Sequence, residues 1–324
     1  MRKGGAILLL TVLLGCASGI NVITNGAAAL QAPDQTASKK AARGTAKPVT
    51  IPVAIRVRGS KPEPEIQILD LTVLEDGEPQ SNLSIRSIYT SSPLTIAILI
   101  QDDLVSSVSN EIKPIGEFIR RLPKGARVMV GYVRAGSLEV RQKFTGDLER
   151  AANALRVPMG LASAGPFNPY VEVLEGISRF DSQPAGRRAM LLVSDGLDIS
   201  RGVDSSSAGQ SVDLQRAINQ AQRRAVAIYS FYAPSVTVAG NQTLIGNAQS
   251  SLERLSDETG GKAFFQGTGA PVSFDPFLSE LSSSLDRQVA LTYLSTHTRK
   301  GFHRLQIRSS TPGVQVTYPA GYTR

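Results

Sequence analysis

The chain has 324 residues, 41% hydrophobic and 19% charged, a balance that supports a folded core and excludes disorder throughout. A single Cys leaves no partner for an intramolecular disulfide, and two His with no Trp leave little material for a histidine-rich site, which argues against a zinc enzyme. The net charge of +8 is partly held by Arg2 and Lys3 and by Lys39, Lys40, Arg43 and Lys47, so the body is only mildly basic, and without an aromatic platform it does not read as a nucleic-acid binder.

In chain order, Met1-Arg2-Lys3 precedes the apolar run Ala6 to Leu14 and the small residues Gly15-Cys16-Ala17-Ser18. That pattern predicts an export signal over residues 1–18, too short to span a bilayer. Leu13-Leu14-Gly15-Cys16 resembles a bacterial lipobox, with Cys16 as the lipidated first residue of the mature chain; the alternative is ordinary cleavage near Ala17 or in Ala27-Ala28-Ala29. The expected location is the periplasm or outer cell envelope, by lipid anchor or free. Residues 19–48, rich in Ala, Gly, Thr and Lys without an apolar period, read as a flexible tether.

Alternating segments follow at 49–57, 66–74 and 83–88, with Glu75-Asp76-Gly77 as a turn, predicting a small antiparallel β module over 49–93. From Leu94 the rhythm changes: an unbroken apolar run to Ile100 leads into helical spacing at Ile112, Ile115, Phe118, Ile119 and Leu122. A hairpin is expected over 127–144 and helices over 147–157, 168–180, 213–224, 247–259 and 274–285. Strands are expected over 189–193, 225–232 and 262–266. Residues 94–286 therefore predict an α/β domain with a doubly wound, mostly parallel sheet. Three β segments at 289–298, 302–309 and 314–318 close the chain, and residues 287–324 are expected to pair with the N-terminal module.

Two predicted parallel strands end in acid, at Gln101-Asp102-Asp103 and at Ser194-Asp195-Gly196, which places both acids at the ligand end of such a sheet. The acid-plus-Ser loop after the first strand, the loop Gly165-Pro166-Phe167-Asn168-Pro169-Tyr170 and Ser194-Asp195-Gly196 together resemble a von Willebrand factor A (VWA) domain. The flanks Val73 to Gln80 and Tyr318-Pro319-Ala320-Gly321-Tyr322 resemble the VWA-related exported proteins of acidobacteria. The resemblance implies a VWA/Rossmann-like fold and a metal ion-dependent adhesion site holding Mg²⁺ through an Asp-x-Ser-x-Ser loop, a Thr and a further Asp. Asp102, Ser106 and Asp195 match that pattern, or Asp103 and Ser107 in the alternative register. Leu104 or Val105 stands at the middle Ser, and Phe167 at the Thr.

With those hydroxyls replaced, the resemblance implies a degenerate site with no cofactor or only weakly bound Mg²⁺, beside which Phe167 and Asn168 are candidate ligand contacts. The alternative role for Asp102 and Asp195 is helix capping. The implied function is binding of a protein or cell-envelope component, without catalysis; the alternative is a scaffold acting through its β flanks. A nucleotide-binding glycine loop and a hydrolase elbow are both missing from the sequence. His297 and His303 read as exposed strand residues.

Overall fold

The computed structural model describes residues 46–57, 71–86, 93–184 and 186–324. The expected export signal, Cys16 and nearly all of the expected tether lie outside the described residues, as do 66–70 of the second expected strand.

The chain begins with β1 (Lys47–Val57), β2 (Leu71–Glu75) and β3 (Glu78–Arg86). Asp76 and Gly77, with φ of 51° and 86°, close the β2–β3 hairpin, because a two-residue turn that follows the strand twist needs positive φ at both positions. Next come β4 (Leu94–Gln101), α1 (Ile112–Arg120), β5 (Arg127–Arg134), β6 (Ser137–Thr145), α2 (Leu148–Asn153) and α3 (Pro169–Ser178). They are followed by β7 (Arg187–Ser194), α4 (Val212–Arg223), β8 (Val226–Tyr232), α5 (Gln242–Thr259), β9 (Ala263–Phe264) and α6 (Asp275–Asp286). The chain ends with β10 (Gln288–Ser295), β11 (Phe302–Ser309), β12 (Val314–Thr317) and β13 (Gly321–Thr323).

Six strands form one sheet in the order β6-β5-β4-β7-β8-β9. It is mixed: β4 runs parallel to β5 and β7, β8 to β7 and β9, while β6 lies antiparallel on the β5 edge. Every residue of β4 is buried, as expected for a central strand covered on both faces. Alternate side chains separate the two layers. Ile96, Ile98 and Ile100 pack with Ile115, Phe118 and Ile119 of α1 and Leu278, Leu281 and Leu285 of α6. Ala97 and Leu99 pack with Tyr170, Val173 and Ile177 of α3, Leu214 and Ile218 of α4 and Leu252 of α5.

The second sheet is antiparallel, in the order β12-β1-β10-β3-β2-β11-β13, so strands from the two flanks interleave. β10 pairs with β1 over Lys47–Ala54 and with β3. β11 pairs with β2, Leu305 opposite Glu75 and Ile307 opposite Val73. One face is apolar: Ile51, Val53, Leu71, Val73, Leu291, Tyr293, Leu305 and Ile307 form a third core.

One boundary departs from the helical spacing in a way that shapes the site. The helix expected over 147–157 stops at Asn153. The Tyr132 hydroxyl both receives the Arg156 N–H and donates to the Arg156 carbonyl, at 2.6 and 2.5 Å, which draws residues 155–161 across the strand ends as a loop.

Candidate functional site

β4, β7 and β8 end level with one another, Ile100 beside Val193 and Ser194 beside Tyr232. The chain leaves β4 toward β5 on one side and returns to β7 on the other. This reversal opens a crevice between the loops after β4 and β7, the usual ligand position in such sheets. A crevice of about 50 Å³ lies there, lined by Asp103, Asp195, Ser235 and Thr237, with Gly165, Phe167 and Ile199 at its sides. It has room for an ion or a few waters.

Gln101 ties the floor together. Its amide N–H donates to Asp103 Oδ1 at 2.7 Å, while its carbonyl oxygen accepts from the Ser194 hydroxyl at 2.5 Å and from the Asp195 N–H at 3.2 Å. Asp103 and Asp195 are thereby fixed in one buried site. Burial, and after it the charge of Asp195, push the Asp103 carboxyl up to about 6. Burial likewise raises Asp195, against hydrogen bonds from the Leu197 N–H, the Ser235 hydroxyl and Gln101 that favour its ionised form. Two glycines leave room around the site, one beside Asp103 and one against α5. A Cβ at Gly165 would stand 2.1 Å from Asp103 Oδ2, and one at Gly196, where φ is +71°, would stand 2.4 Å from Leu252.

Asp102 and Asp103 have different surroundings. Asp102 is fully buried and clamped by Arg156, whose two terminal nitrogens meet its two oxygens at 2.6 and 2.9 Å. Arg134 lies 3.3 Å away, and the Met159 N–H donates at 3.0 Å. The Arg156 guanidinium also stacks 3.9 Å above the Tyr132 ring and reaches Glu139 at 3.1 Å. Its proton is held more tightly than usual, chiefly by the hydrogen bonds to Asp102.

The other residues of the sequence pattern are spread more widely. Ser106 and Ser107 are exposed on a short 3₁₀ turn before α1, and neither lines the crevice. Leu104 points into the core beneath α1 rather than into the crevice. Asn168 is buried as the N-cap of α3, its side chain accepting from the Tyr170 N–H at 3.0 Å and donating to Asp213 at 2.8 Å. Phe167, in contrast, is 71% exposed at the crevice wall, its carbonyl anchored by the Ile199 N–H at 2.8 Å.

Sequence reasoning missed Gln101, Arg156 and Ser235. A lone amide at the end of the apolar run of β4 was a usable signal for Gln101. A third strand-end loop, Tyr232-Ala233-Pro234-Ser235, was one for Ser235. Nothing local marks Arg156 among the other arginines.

The histidines differ from expectation. His303 is buried and His297 half-buried, because β11 turns His303 inward beside Leu305 and Ile307. His303 Nδ1 lies 2.8 Å from Asp76 Oδ2, and its Nε2 lies 2.9 Å from the Arg299 carbonyl.

No protein-family model matches the chain, and no curated protein matches it. Among solved structures it resembles an aerotolerance-related membrane protein from Bacteroides fragilis, at 11% identity and a TM-score of 0.42, over 60% of this chain and 98% of that one. It also resembles the conserved hypothetical protein BatB from Bacteroides thetaiotaomicron, at 10% identity and a TM-score of 0.42, over 60% and 97%. A third is the SpRpn10 VWA domain, at 14% identity and a TM-score of 0.35, over 60% and 93%.

Proposed function

We propose that this chain is an exported VWA-type binding protein that recognises a protein or cell-envelope component through the strand-end face, without catalysis. The observation that carries the proposal is the surface of the loop between α2 and α3. Val157, Met159, Leu161 and Phe167 are 52%, 49%, 57% and 71% exposed on it. Apolar side chains clustered along one loop mark a contact surface more than a solvated one, and a Phe held by an anchored backbone is the kind of residue that dominates interface energy.

The loop is held by its backbone and by the Arg156 side chain, while Val157, Met159, Leu161 and Phe167 remain exposed. The Gly160 N–H donates to the Asp102 carbonyl at 2.9 Å, the Ala135 N–H to the Ala164 carbonyl at 3.0 Å, and the Met159 N–H to Asp102 itself. Such a surface loses little freedom on binding.

The same arrangement supports a degenerate metal site. In the Asp102 register both oxygens of the first Asp face Arg156, so a guanidinium already supplies the positive charge there; in the Asp103 register that acid does share the crevice with Asp195. Ser106 and Ser107 bring no oxygen to the crevice. The family's Mg²⁺ oxygen set is therefore incomplete in either register, which favours recognition through the apolar loop. Asp103, Asp195, Ser235 and Thr237 line the crevice, and without the family's full oxygen set any cation held there would be bound weakly.

The test uses envelope extracts and the intact protein as bait. Phe167→Asp should lower capture of a specific partner at least tenfold while urea denaturation stays that of the parent, and chelator should leave capture unchanged. Equal capture by parent and variant would contradict the proposal.

A further inference from the structure

Far along the chain from the strand-end crevice, the β2–β3 turn meets the connection between β10 and β11. Glu75, Asp76 and His297 each present one ligand atom there, all within 4.8 Å of one another. We propose that these three residues form a site for a divalent transition-metal ion of the Zn²⁺ class, which staples the N-terminal hairpin to the C-terminal strands.

The first argument is that two polar atoms of this cluster lack partners, although the His303 ring nitrogen also stands 3.4 Å from Glu75 Oε1 and 2.8 Å from Asp76 Oδ2. Glu75 is fully buried, and its two oxygens are treated unequally. Oε1 accepts from the Ser295 hydroxyl at 3.0 Å and the Tyr322 hydroxyl at 2.8 Å. Oε2 has no hydrogen-bond partner, and neither has His297 Nδ1. Tyr293, also fully buried, lies close enough to Glu75 to feel its charge, yet its hydroxyl makes no hydrogen bond of good geometry. Buried polar atoms are rarely left unpaired, and a buried carboxylate least of all. An unpartnered buried oxygen on Glu75 and an unpartnered ring nitrogen on His297, beside the Asp76 carboxylate, are the kind of groups a cation satisfies.

Geometry supplies the second argument. Two ligands bound tetrahedrally to Zn²⁺ at its usual bond lengths stand about 3.3 Å apart. His297 Nδ1 and Glu75 Oε1, the oxygen that also accepts the two hydroxyls, are 3.5 Å apart. The supporting groups are those that orient metal ligands elsewhere. The second ring nitrogen of His297 faces the Glu78 carboxylate at 3.7 Å, and the second oxygen of Asp76 is fixed by the Arg304 N–H at 2.8 Å. One imidazole nitrogen with two carboxylates selects a first-row transition ion over Mg²⁺, which prefers oxygen ligands only. Glu75 and Asp76 lie more than 200 positions before His297, so the ion would close a long loop between strands held otherwise by sheet hydrogen bonds.

Two variants keep the test independent of folding. Asp76 sits at φ +51°, a conformation that Asn adopts readily, so Asp76→Asn preserves the turn while removing a charged ligand. His297→Ala removes the nitrogen. Full-length protein stripped with chelator should bind one Zn²⁺ per chain in calorimetry, with Mg²⁺ at least about 100-fold weaker. Zn²⁺ at a hundredfold excess over its dissociation constant should raise the melting temperature by roughly 5 °C. Each variant should weaken Zn²⁺ at least tenfold, a crevice variant such as Asp103→Asn should leave it unchanged, and Co²⁺ should give visible absorption bands in the parent that His297→Ala loses. Three results would overturn the proposal: no stoichiometric Zn²⁺, affinity unmoved in a folded Asp76→Asn or His297→Ala, or affinity moved by Asp103→Asn instead.

Discussion

Replacing Asp103 with Asn should stabilise the protein above neutral pH and do nothing in acid. The Asp103 carboxyl is raised from 3.8 to about 6, first by burial and then by the Asp195 charge. In the window between those values the native state keeps a proton that the unfolded chain releases, so stability falls as pH rises through it. The penalty is absent below about pH 4 and fully present above about pH 6. A raise of roughly two units corresponds to about 3 kcal/mol at ~1.4 kcal/mol per unit, and coupling to Asp195 makes that an upper bound. Asn keeps the oxygen that accepts from Gln101 and places an N–H₂ group where the second carboxylate oxygen lay. Urea denaturation of parent and variant at pH 4, 5, 6.5 and 8 measures the difference, in which titrating groups remote from the crevice cancel. The expected gain is near zero at pH 4 and about 1–3 kcal/mol at pH 8. A gain independent of pH, or a loss at pH 8, would refute the picture of two acids crowded in one buried crevice.

Three other outcomes are expected on the same grounds. Arg156→Ala leaves Asp102 buried with only Arg134 near it, and should cost about 3 kcal/mol in denaturation, much of it regained when Asp102→Asn is added; equal losses in the single and double variants would count against the pairing. Deleting residues 289–324 removes nearly all of β10 from between β1 and β3 and exposes both edges, so the truncated protein should aggregate in light scattering; a soluble, cooperative product would contradict the interleaved sheet. If Cys16 carries the lipid, Cys16→Ala should move the protein from the membrane to the soluble fraction, at about 0.8 kcal/mol per buried CH₂ lost, and an unchanged distribution would favour free export.

The layers of the fold were legible because burial writes a period into the sequence. The continuous run Thr95 to Ile100 signals a strand covered on both faces, and the alternation in Phe302 to Ser309 a strand covered on one. Boundaries were less legible. Nothing local to 147–157 reports that Tyr132, from another strand, captures Arg156 and ends the helix early. The candidate site was legible as a position, since acids at strand ends mark the ligand edge, but not as a register. Asp102 and Asp103 are adjacent and chemically equal, and only tertiary contacts give one to Arg156 and the other to the crevice. The histidines were misplaced for the same reason, because their partners Glu75 and Asp76 lie more than 200 residues earlier.

The central claim is that recognition runs through the loop crossing the strand ends. A photo-crosslinking residue at position 167, with one at position 272 as control, tests it in intact cells that express the protein. Val272 is 92% exposed, more than Phe167, but lies outside the crevice lining, so exposure alone favours the control. The account predicts a discrete crosslinked product at 167 and none at 272. Equal labelling at both positions, or a product at 272 alone, would contradict it.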